Sequence, residues 1–290
     1  MGIYLMLVSF SYRVRNSLLE RIDPRARWIF SILVLFAITL FWDLRFLLFF
    51  FVLAFAQYYV SRLTWRETRR AWIFVIVIMT MMVLVNTIIT SAGTIGGVIS
   101  GGHSVWEIHA GWLNFTLTIE RLWFALVQFV RILAISCLFI VIPFTMDPRR
   151  YGVTFQGMGL PDRLAFSLDL AFRFVPTLGR DFQITLDAQR ARGYEVEKVR
   201  GGLFEQIRKT APLVVPVTMN AILSGEDITN AMDLRCFGLR RRTWVEVLKF
   251  HWTDYVVIAL GLVLLLGSIV LNIIGYGKFW IPTAVVNLVH

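Results

Sequence analysis

Hydrophobic and polar positions are sorted into long blocks along this chain. Apolar runs fill residues 28–41, 44–60, 71–89, 117–144 and 255–274. A helix needs about 20 apolar residues to cross the hydrocarbon core of a bilayer, so the five runs predict five membrane-spanning helices. The first two are short, and only Trp42 and Asp43 separate them, with Arg45 just beyond. That spacing predicts two helices joined by a tight turn; one bent helix or a re-entrant pair are the alternatives.

Between residues 147 and 253 the blocks give way to helical periodicity. Leu160-Pro161-Asp162 opens a helix, because proline is tolerated in a first turn and an acidic residue there suits the helix dipole. Apolar residues then recur at Leu164, Leu168, Ala171, Val175, Leu178, Phe182 and Leu186, in steps that mark one face of a long helix. Pro176 predicts a bend, and Gly193 is a natural residue to end the helix in a left-handed turn. A second helix begins near Leu203, with Pro212 and Pro216 breaking or kinking its early part. It continues through Ala221, Ser224, Gly225, Ile228, Ala231 and Met232, many of them small enough to let another helix approach closely. Gly238 is its predicted C-terminal glycine. The expected fold class is all-α: a polytopic helical membrane protein with about five spans and two long cytoplasmic helices. Residues 1–146 form an N-terminal transmembrane region, 147–253 a cytoplasmic region, and 254–290 a last transmembrane helix and a tail. Residues 276–290 carry no pattern of their own.

Composition moves the class from globular to membrane. Hydrophobic residues make up 57% of the chain, against roughly 45–50% in soluble domains, and mean hydropathy is +0.68. Basic residues sort by connection. Arg13, Arg15, Arg21, Arg25 and Arg27 precede the first span, and Arg62, Arg66, Arg69 and Arg70 follow the second. Residues 90–116 hold no lysine or arginine, whereas 147–253 are rich in both. This alternation predicts a cytoplasmic N-terminus, an external C-terminus and an external glycine-rich loop at 93–102. The net charge of +10 then reports topology and gives no argument for a nucleic-acid partner. The first ten residues lack a basic start and a small-residue cleavage site, so a cleaved signal peptide is not expected.

Candidate chemistry is sparse. The sequence contains no HExxH, no GxSxG and no metal-spaced set of histidines and cysteines; His103 and His109 are scattered on the external connection. GxxxxGK[ST] is missing too, so ATP hydrolysis by this chain alone is not expected. Cys137 and Cys236 have no CxxC spacing and read as free thiols. Arg131 lies inside the fourth span, where a charge serves function, snorkels toward the interface or pairs with a neighbouring helix. With Gln128 it is the obvious candidate for the midplane site that a self-contained transporter needs.

Both long helices of the 147–253 region end alike. Ala188-Gln189-Arg190-Ala191-Arg192 precedes Gly193, and Ala231-Met232-Asp233-Leu234-Arg235 precedes Cys236-Phe237-Gly238. An arginine in a last turn complements the dipole, and ordinary capping accounts for it. Two matched ends in one solvent-facing region suggest instead two copies of a docking tip. Arginine suits that role because its planar fork bonds carboxylates through two parallel hydrogen bonds.

A family resemblance rests on several segments. They are Ala171-Phe172-Arg173-Phe174-Val175-Pro176-Thr177-Leu178, Ala188-Gln189-Arg190-Ala191-Arg192-Gly193, Ala211-Pro212-Leu213-Val214-Val215-Pro216 and Ala231-Met232-Asp233-Leu234-Arg235. Arg21-Ile22-Asp23-Pro24-Arg25, Thr145-Met146-Asp147-Pro148 and Gly159-Leu160-Pro161 occur in the matching order. Over residues 18–243 the chain resembles the transmembrane coupling subunit, or T component, of energy-coupling factor transporters. The resemblance implies a non-catalytic, multi-pass protein of a bacterial or archaeal cell membrane. It implies two ABC-type ATPases as partners, which bind the ATP and magnesium, and no cofactor on this chain. A third partner is a substrate-binding membrane subunit, the S component, for a vitamin or a metal ion. Besides these, membrane lipid is expected as a neighbour and nucleic acid is not. The docking motifs carry over as Ala191-Arg192-Gly193 and Leu234-Arg235-Cys236. The second departs from the family's usual Ala-Arg-Gly, which puts its fit in question but keeps the arginine. Phe166, Phe172 and Phe174 are expected at the S-component contact; packing within this chain is the alternative for them. The rival expectations are a stand-alone transporter or a conventional ABC permease subunit, which would use one coupling helix per chain.

Overall fold

The structure, a computed structural model, describes residues 17–91, 104–110, 113–194, 203–239, 243–246 and 248–277. In chain order the helices are α1 (Pro24–Leu40), α2 (Leu44–Val60), α3 (Trp65–Ser91), α4 (Ile119–Thr145), α5 (Tyr151–Gly157), α6 (Asp162–Ala191), α7 (Leu203–Leu234) and α8 (Trp252–Ile274). Short 3-10 turns occupy Leu18–Arg21 and Pro148–Arg150, and two strands, β1 (Ser104–Ala110) and β2 (Leu113–Thr118), lie between α3 and α4. The chain divides into two compact units, one covering 147–248 and the other 11–146 with 249–290.

Three helical starts share one device. The carboxylates of Asp23, Asp43 and Asp147 each accept the backbone N–H two residues on, from Arg25 (2.9 Å), Arg45 (3.0 Å) and Arg149 (3.0 Å). Such a cap satisfies a donor that the first turn leaves free. Pro24 and Pro148 sit at first helical positions, where a missing N–H costs nothing. Asp43 starts α2 directly after α1 ends, so the tight turn is the geometry adopted at 41–43.

In the larger unit two buried arginines tie α1 to α4. The Arg131 guanidinium donates through Nη2 to the carbonyl of Phe41, donates to Gln128 Oε1 at 3.4 Å, and lies 4.2 Å over the Trp42 ring. At the other end Arg27 Nη1 donates to the carbonyl of Thr145 (3.3 Å) and to its hydroxyl (3.0 Å). Each helix thus lends a cation to the other's C-terminus, where carbonyls lack intrahelical partners. Arg27 to Phe41 and Arg131 to Thr145 are equal steps of 14 residues, about 21 Å of helix, so the two helices run antiparallel in matched register.

Helix α8 runs parallel to α1. At one end the buried Asp254 carboxylate accepts the N–H groups of Asp23 (2.8 Å) and His251 (2.7 Å); at the other, Asn272 Nδ2 donates to the carbonyl of Leu40 (3.0 Å). Between them Gly261 admits α1, since a Cβ there would stand 3.1 Å from Leu33 and 3.2 Å from Phe30. Trp42 stacks on Phe124 with centroids 5.6 Å apart, which places the starts of α2 and α4 side by side. The core between these helices holds Val34, Ile38, Leu47, Val127, Ala134 and Leu138. Among the described residues, Trp123–Thr145 and Trp252–Ile274 are long and apolar enough to cross a membrane, and Leu44–Val60 is apolar but shorter.

The fold is helical as expected, with one addition between α3 and α4. β1 and β2 form an antiparallel pair, with Ala110 opposite Leu113 and His109 opposite Asn114. Leu117, expected to open the fourth span, belongs to β2, and the helix starts at Ile119. The physical cause is alternation: Leu113-Asn114-Phe115-Thr116-Leu117-Thr118 has period two, which suits a strand and not a helix. The expected glycine-rich loop at 93–102 lies outside the described residues. Of the tail, Tyr276 and Gly277 are described, and Gly277 accepts the N–H of Trp42 at 3.2 Å.

In the smaller unit α5 lies against α6 through Gly152, where a Cβ would come within 2.7 Å of Asp169 Cβ and 2.8 Å of the Ala165 carbonyl. Asp169 is buried and pairs with Arg173 at 3.1 Å. Helices α6 and α7 are antiparallel: Gln189 near the end of α6 donates to the carbonyl of Pro212 (3.4 Å), while Phe166 near its start meets the ring of Phe237 (4.6 Å). Pro176, Pro212 and Pro216 all sit inside continuous helices, so neither proline breaks α7. The residues α6 buries are Ala165, Asp169 and Leu186. Leu164 and Val175, from the apolar stripe read in the sequence, stay exposed at 55% and 42%.

Candidate functional site

Helix α6 ends in three backbone hydrogen bonds: Arg192 N–H to Gln189 (3.1 Å), Gly193 N–H to Arg190 (2.9 Å) and Tyr194 N–H to Gln189 (3.0 Å). Gly193 has φ +85°. This is a Schellman ending, in which a left-handed residue lets two later amides satisfy carbonyls of the last turn. Helix α7 ends the same way. Arg235 donates to Met232 (3.1 Å), Cys236 to Asp233 (2.9 Å) and Phe237 to Met232 (3.0 Å). The left-handed residue is Cys236, with φ +52°.

The register match is residue for residue. Ala191 corresponds to Leu234, Arg192 to Arg235, Gly193 to Cys236 and Tyr194 to Phe237. The predicted end at Gly238 is therefore two residues late. Gly238 does have a left-handed φ of +89°, but the hydrogen bonds close at Cys236. A non-glycine residue in that conformation costs about 1–2 kcal/mol, and the ending is retained despite it.

All six motif residues, Ala191, Arg192, Gly193, Leu234, Arg235 and Cys236, are exposed. Leu234 is 87% exposed, an apolar side chain presented beside the second arginine. Each tip offers a guanidinium at a helix end, where partial negative charge supports it, and the fork suits a carboxylate partner. The antiparallel pairing sets the tips far apart. Phe237 at the second tip lies beside Phe166, and Arg192 is 26 residues further along α6. That is about 39 Å of straight helix, shortened by whatever bend Pro176 imposes.

The structure places the three phenylalanines on α6. Phe166 packs on Phe237, Phe172 stacks on Tyr151 with centroids 5.0 Å apart, and Phe174 is half-buried. The contact of Phe237 with Phe166 has no signal in the sequence, because nothing in the spacing links residues 71 positions apart. Arg131 donates both to Gln128 and to the carbonyl of Phe41 in the α1–α2 turn. Cys137 is buried and Cys236 exposed, and neither is in a disulfide. Among the described residues no group of three His, Cys, Asp or Glu could hold a metal ion.

Against this geometry stands a family match. The model of the family described as cobalt transport protein, CbiQ, covers residues 15–245. The chain belongs to this family. It is 31% identical over 183 residues to the energy-coupling factor transporter transmembrane protein EcfT of Lacticaseibacillus paracasei, covering 60% of this chain and 66% of that protein. A protein of the same name from Thermanaerovibrio acidaminovorans is 26% identical over 260 residues, covering 87% of this chain and 90% of the relative. The chain thus spans slightly under two thirds of the first of these relatives. A putative ABC transporter ATP-binding protein of Bifidobacterium longum is 34% identical over 83 residues, which is 28% of this chain and 10% of that protein. The T-component resemblance read from the sequence holds, and the family is one of transport membrane proteins.

Proposed function

We propose that this family member is the energy-coupling transmembrane subunit of an energy-coupling factor transporter. In this reading it links ATP hydrolysis on two cytoplasmic ABC-type ATPases to movement of an S component that takes up a vitamin or metal ion. The carrying observation is the pair of matched helix ends, each with an exposed arginine, at opposite ends of an antiparallel helix pair. Two sockets tens of ångströms apart suit two partners side by side. When ATP draws the ATPases together, the tips are pushed relative to each other, and α6 and α7 act as levers. The Bifidobacterium relative, named for ATP binding, carries a stretch like this chain, which fits a working association with such ATPases.

The same reading places the S component against the long helices. Leu164, Val175 and Ile184 of α6 and Val214, Met219 and Leu223 of α7 leave apolar surface exposed. In this reading Phe166, Phe172 and Phe174 contribute to the same contact. Spans of alternating direction fit the helix arrangement, in which α8 parallels α1, α4 opposes it, and α2 starts beside α4; the cytoplasmic N-terminus of this reading rests on the distribution of basic residues. Residues 147–253 then form the cytoplasmic coupling region. A self-contained transporter is disfavoured because, of its candidate midplane groups, Arg131 is taken up with the α1–α2 turn and Gln128 with Arg131.

The test is co-purification with co-expressed ABC-type ATPases, using wild type, Arg192→Glu, Arg235→Glu and the double variant. Each single variant is expected to lose ATPase retention and ATP-driven uptake while still inserting in membranes. Full assembly and uptake by the double variant would sink the proposal.

A further inference from the structure

A surface cavity of about 550 Å³ opens at the C-terminal end of α2, lined by Phe55, Tyr58, Tyr59, Val60, Arg62 and Leu63. Arg62 enters it from an unusual backbone. Its φ is +52°, and its N–H closes the helix end on the carbonyl of Tyr59 at 3.1 Å. Non-glycine residues rarely adopt that region, and where a helix ends in a left-handed residue it is usually glycine. Here it holds a cation at a turn where glycine would fit with less strain.

Arg62 is not alone. Arg66 and Arg69 follow within the next two turns, all three are exposed, and no described carboxylate pairs with them. The nearby Glu67 accepts from the Thr64 hydroxyl at 2.7 Å. On the same helix, Leu48, Val52, Phe55 and Tyr59 are exposed in steps of four, three and four, one continuous apolar stripe that runs into the cavity. Helix α2 has 17 residues, about 26 Å, so a helix crossing the roughly 30 Å apolar layer puts Arg62 at headgroup depth. Tyr58, Tyr59 and Trp65 cluster at that end, as aromatic residues do at a membrane–water boundary.

We propose that this cavity binds one anionic glycerophospholipid, its phosphate on Arg62 with Arg66 and Arg69 in support, and an acyl chain along Leu48, Val52 and Phe55. An apolar stripe ending in unpaired cations matches an amphiphile with a negative head. A zwitterionic lipid fits less well, because its own ammonium would face three arginines. The site goes beyond the coupling function and rests on the reading that α2 crosses the bilayer.

The test uses the full purified chain equilibrated with equal amounts of phosphatidylglycerol and phosphatidylcholine, with retained lipid read by native mass spectrometry. A cation near a membrane surface contributes about 1 kcal/mol toward anionic lipid, roughly fivefold, so the wild type is expected to retain phosphatidylglycerol about fivefold or more in excess. The Arg62→Gln, Arg66→Gln, Arg69→Gln variant should lose that preference. Arg62→Gly should weaken it while leaving helix content intact, since it removes the cation and relieves the backbone. Replacing Arg240, Arg241 and Arg242 by glutamine should leave it unchanged. No preference in the wild type, preference kept in the triple variant, or equal loss at residues 240–242 would overturn the site. Release of the wild-type chain from membranes by alkaline carbonate would overturn the bilayer reading as well; no preference in a wild-type chain that stays embedded overturns the site alone.

Discussion

Arg192 and Arg235 hold the same position in two copies of one helix ending, each the last residue before a left-handed turn closed by the same three backbone hydrogen bonds. The match extends to exposure but not to neighbours: Ala191 and Gly193 flank one arginine, Leu234 and Cys236 the other. Lysine keeps the charge and loses the planar fork, so it separates geometry from charge. Arg192→Lys and Arg235→Lys are each expected to weaken ATPase binding by about 1–2 kcal/mol, roughly 5- to 30-fold, the scale of a charged hydrogen bond. Titration of the detergent-solubilised chain with ATPase measures it. Full affinity in both lysine variants would mean that the tips act as point charges only.

The left-handed residue gives a second prediction. Cys236 adopts φ +52° where its counterpart Gly193 adopts +85°. Cys236→Gly should steady the second tip by about 1 kcal/mol, and Gly193→Ala should loosen the first by a similar amount. Hydrogen exchange at the amides of the two closing turns reads both changes locally, with about fivefold slower exchange at Phe237 in the first variant and about fivefold faster exchange at Tyr194 in the second. Equal exchange in Cys236→Gly and wild type would mean that the turn carries no such strain.

These endings also measure what the sequence discloses. The expected run 44–60 is α2 residue for residue, and Gly193 ends α6 as expected, because apolar runs and C-terminal glycines are local signals. The second ending was misplaced to Gly238 because the residue that turns left-handed is a cysteine, and no composition rule selects cysteine for that conformation. The β1–β2 pair did leave a signal in the alternation of residues 113–118, with Gly111 and Trp112 between the strands. That signal was outweighed by its place between two long apolar runs. Contacts such as Phe166 with Phe237, or Arg131 with Phe41, join residues far apart in the chain, and periodicity carries no information about them.

Gly152 tests the packing that supports the long helices. A Cβ there would stand 2.7 Å from Asp169 Cβ and 2.8 Å from the backbone carbonyl of Ala165. Neither is the free end of a flexible side chain, so α5 must move away from α6. Gly152→Ala is expected to cost about 1–3 kcal/mol through overpacking, and Gly152→Val more. Thermal unfolding of the purified chain, together with trypsin cleavage within 147–194, checks it. A melting temperature unchanged in Gly152→Val would show that α5 is free to shift.

Arg131 decides between two meanings of a charge inside an apolar helix. It donates to the Phe41 carbonyl and covers the Trp42 ring, while Arg27 makes the reciprocal contact to Thr145 about 21 Å away. Removing either guanidinium leaves a C-terminal carbonyl without its partner, a loss of about 1–3 kcal/mol. For Arg131→Met the lost cation–π contact adds about 0.5–2 kcal/mol. Methionine keeps much of the side-chain volume, so the change is mainly in polarity. Because the two contacts share no partner and lie far apart, the double variant Arg27→Met, Arg131→Met should be additive to within about 0.5 kcal/mol. Denaturant unfolding in mixed micelles gives the four values of the cycle. A structural role for Arg131 predicts lower stability, with uptake per correctly folded complex preserved. Unchanged stability with uptake abolished would instead make Arg131 a working charge on a transport path.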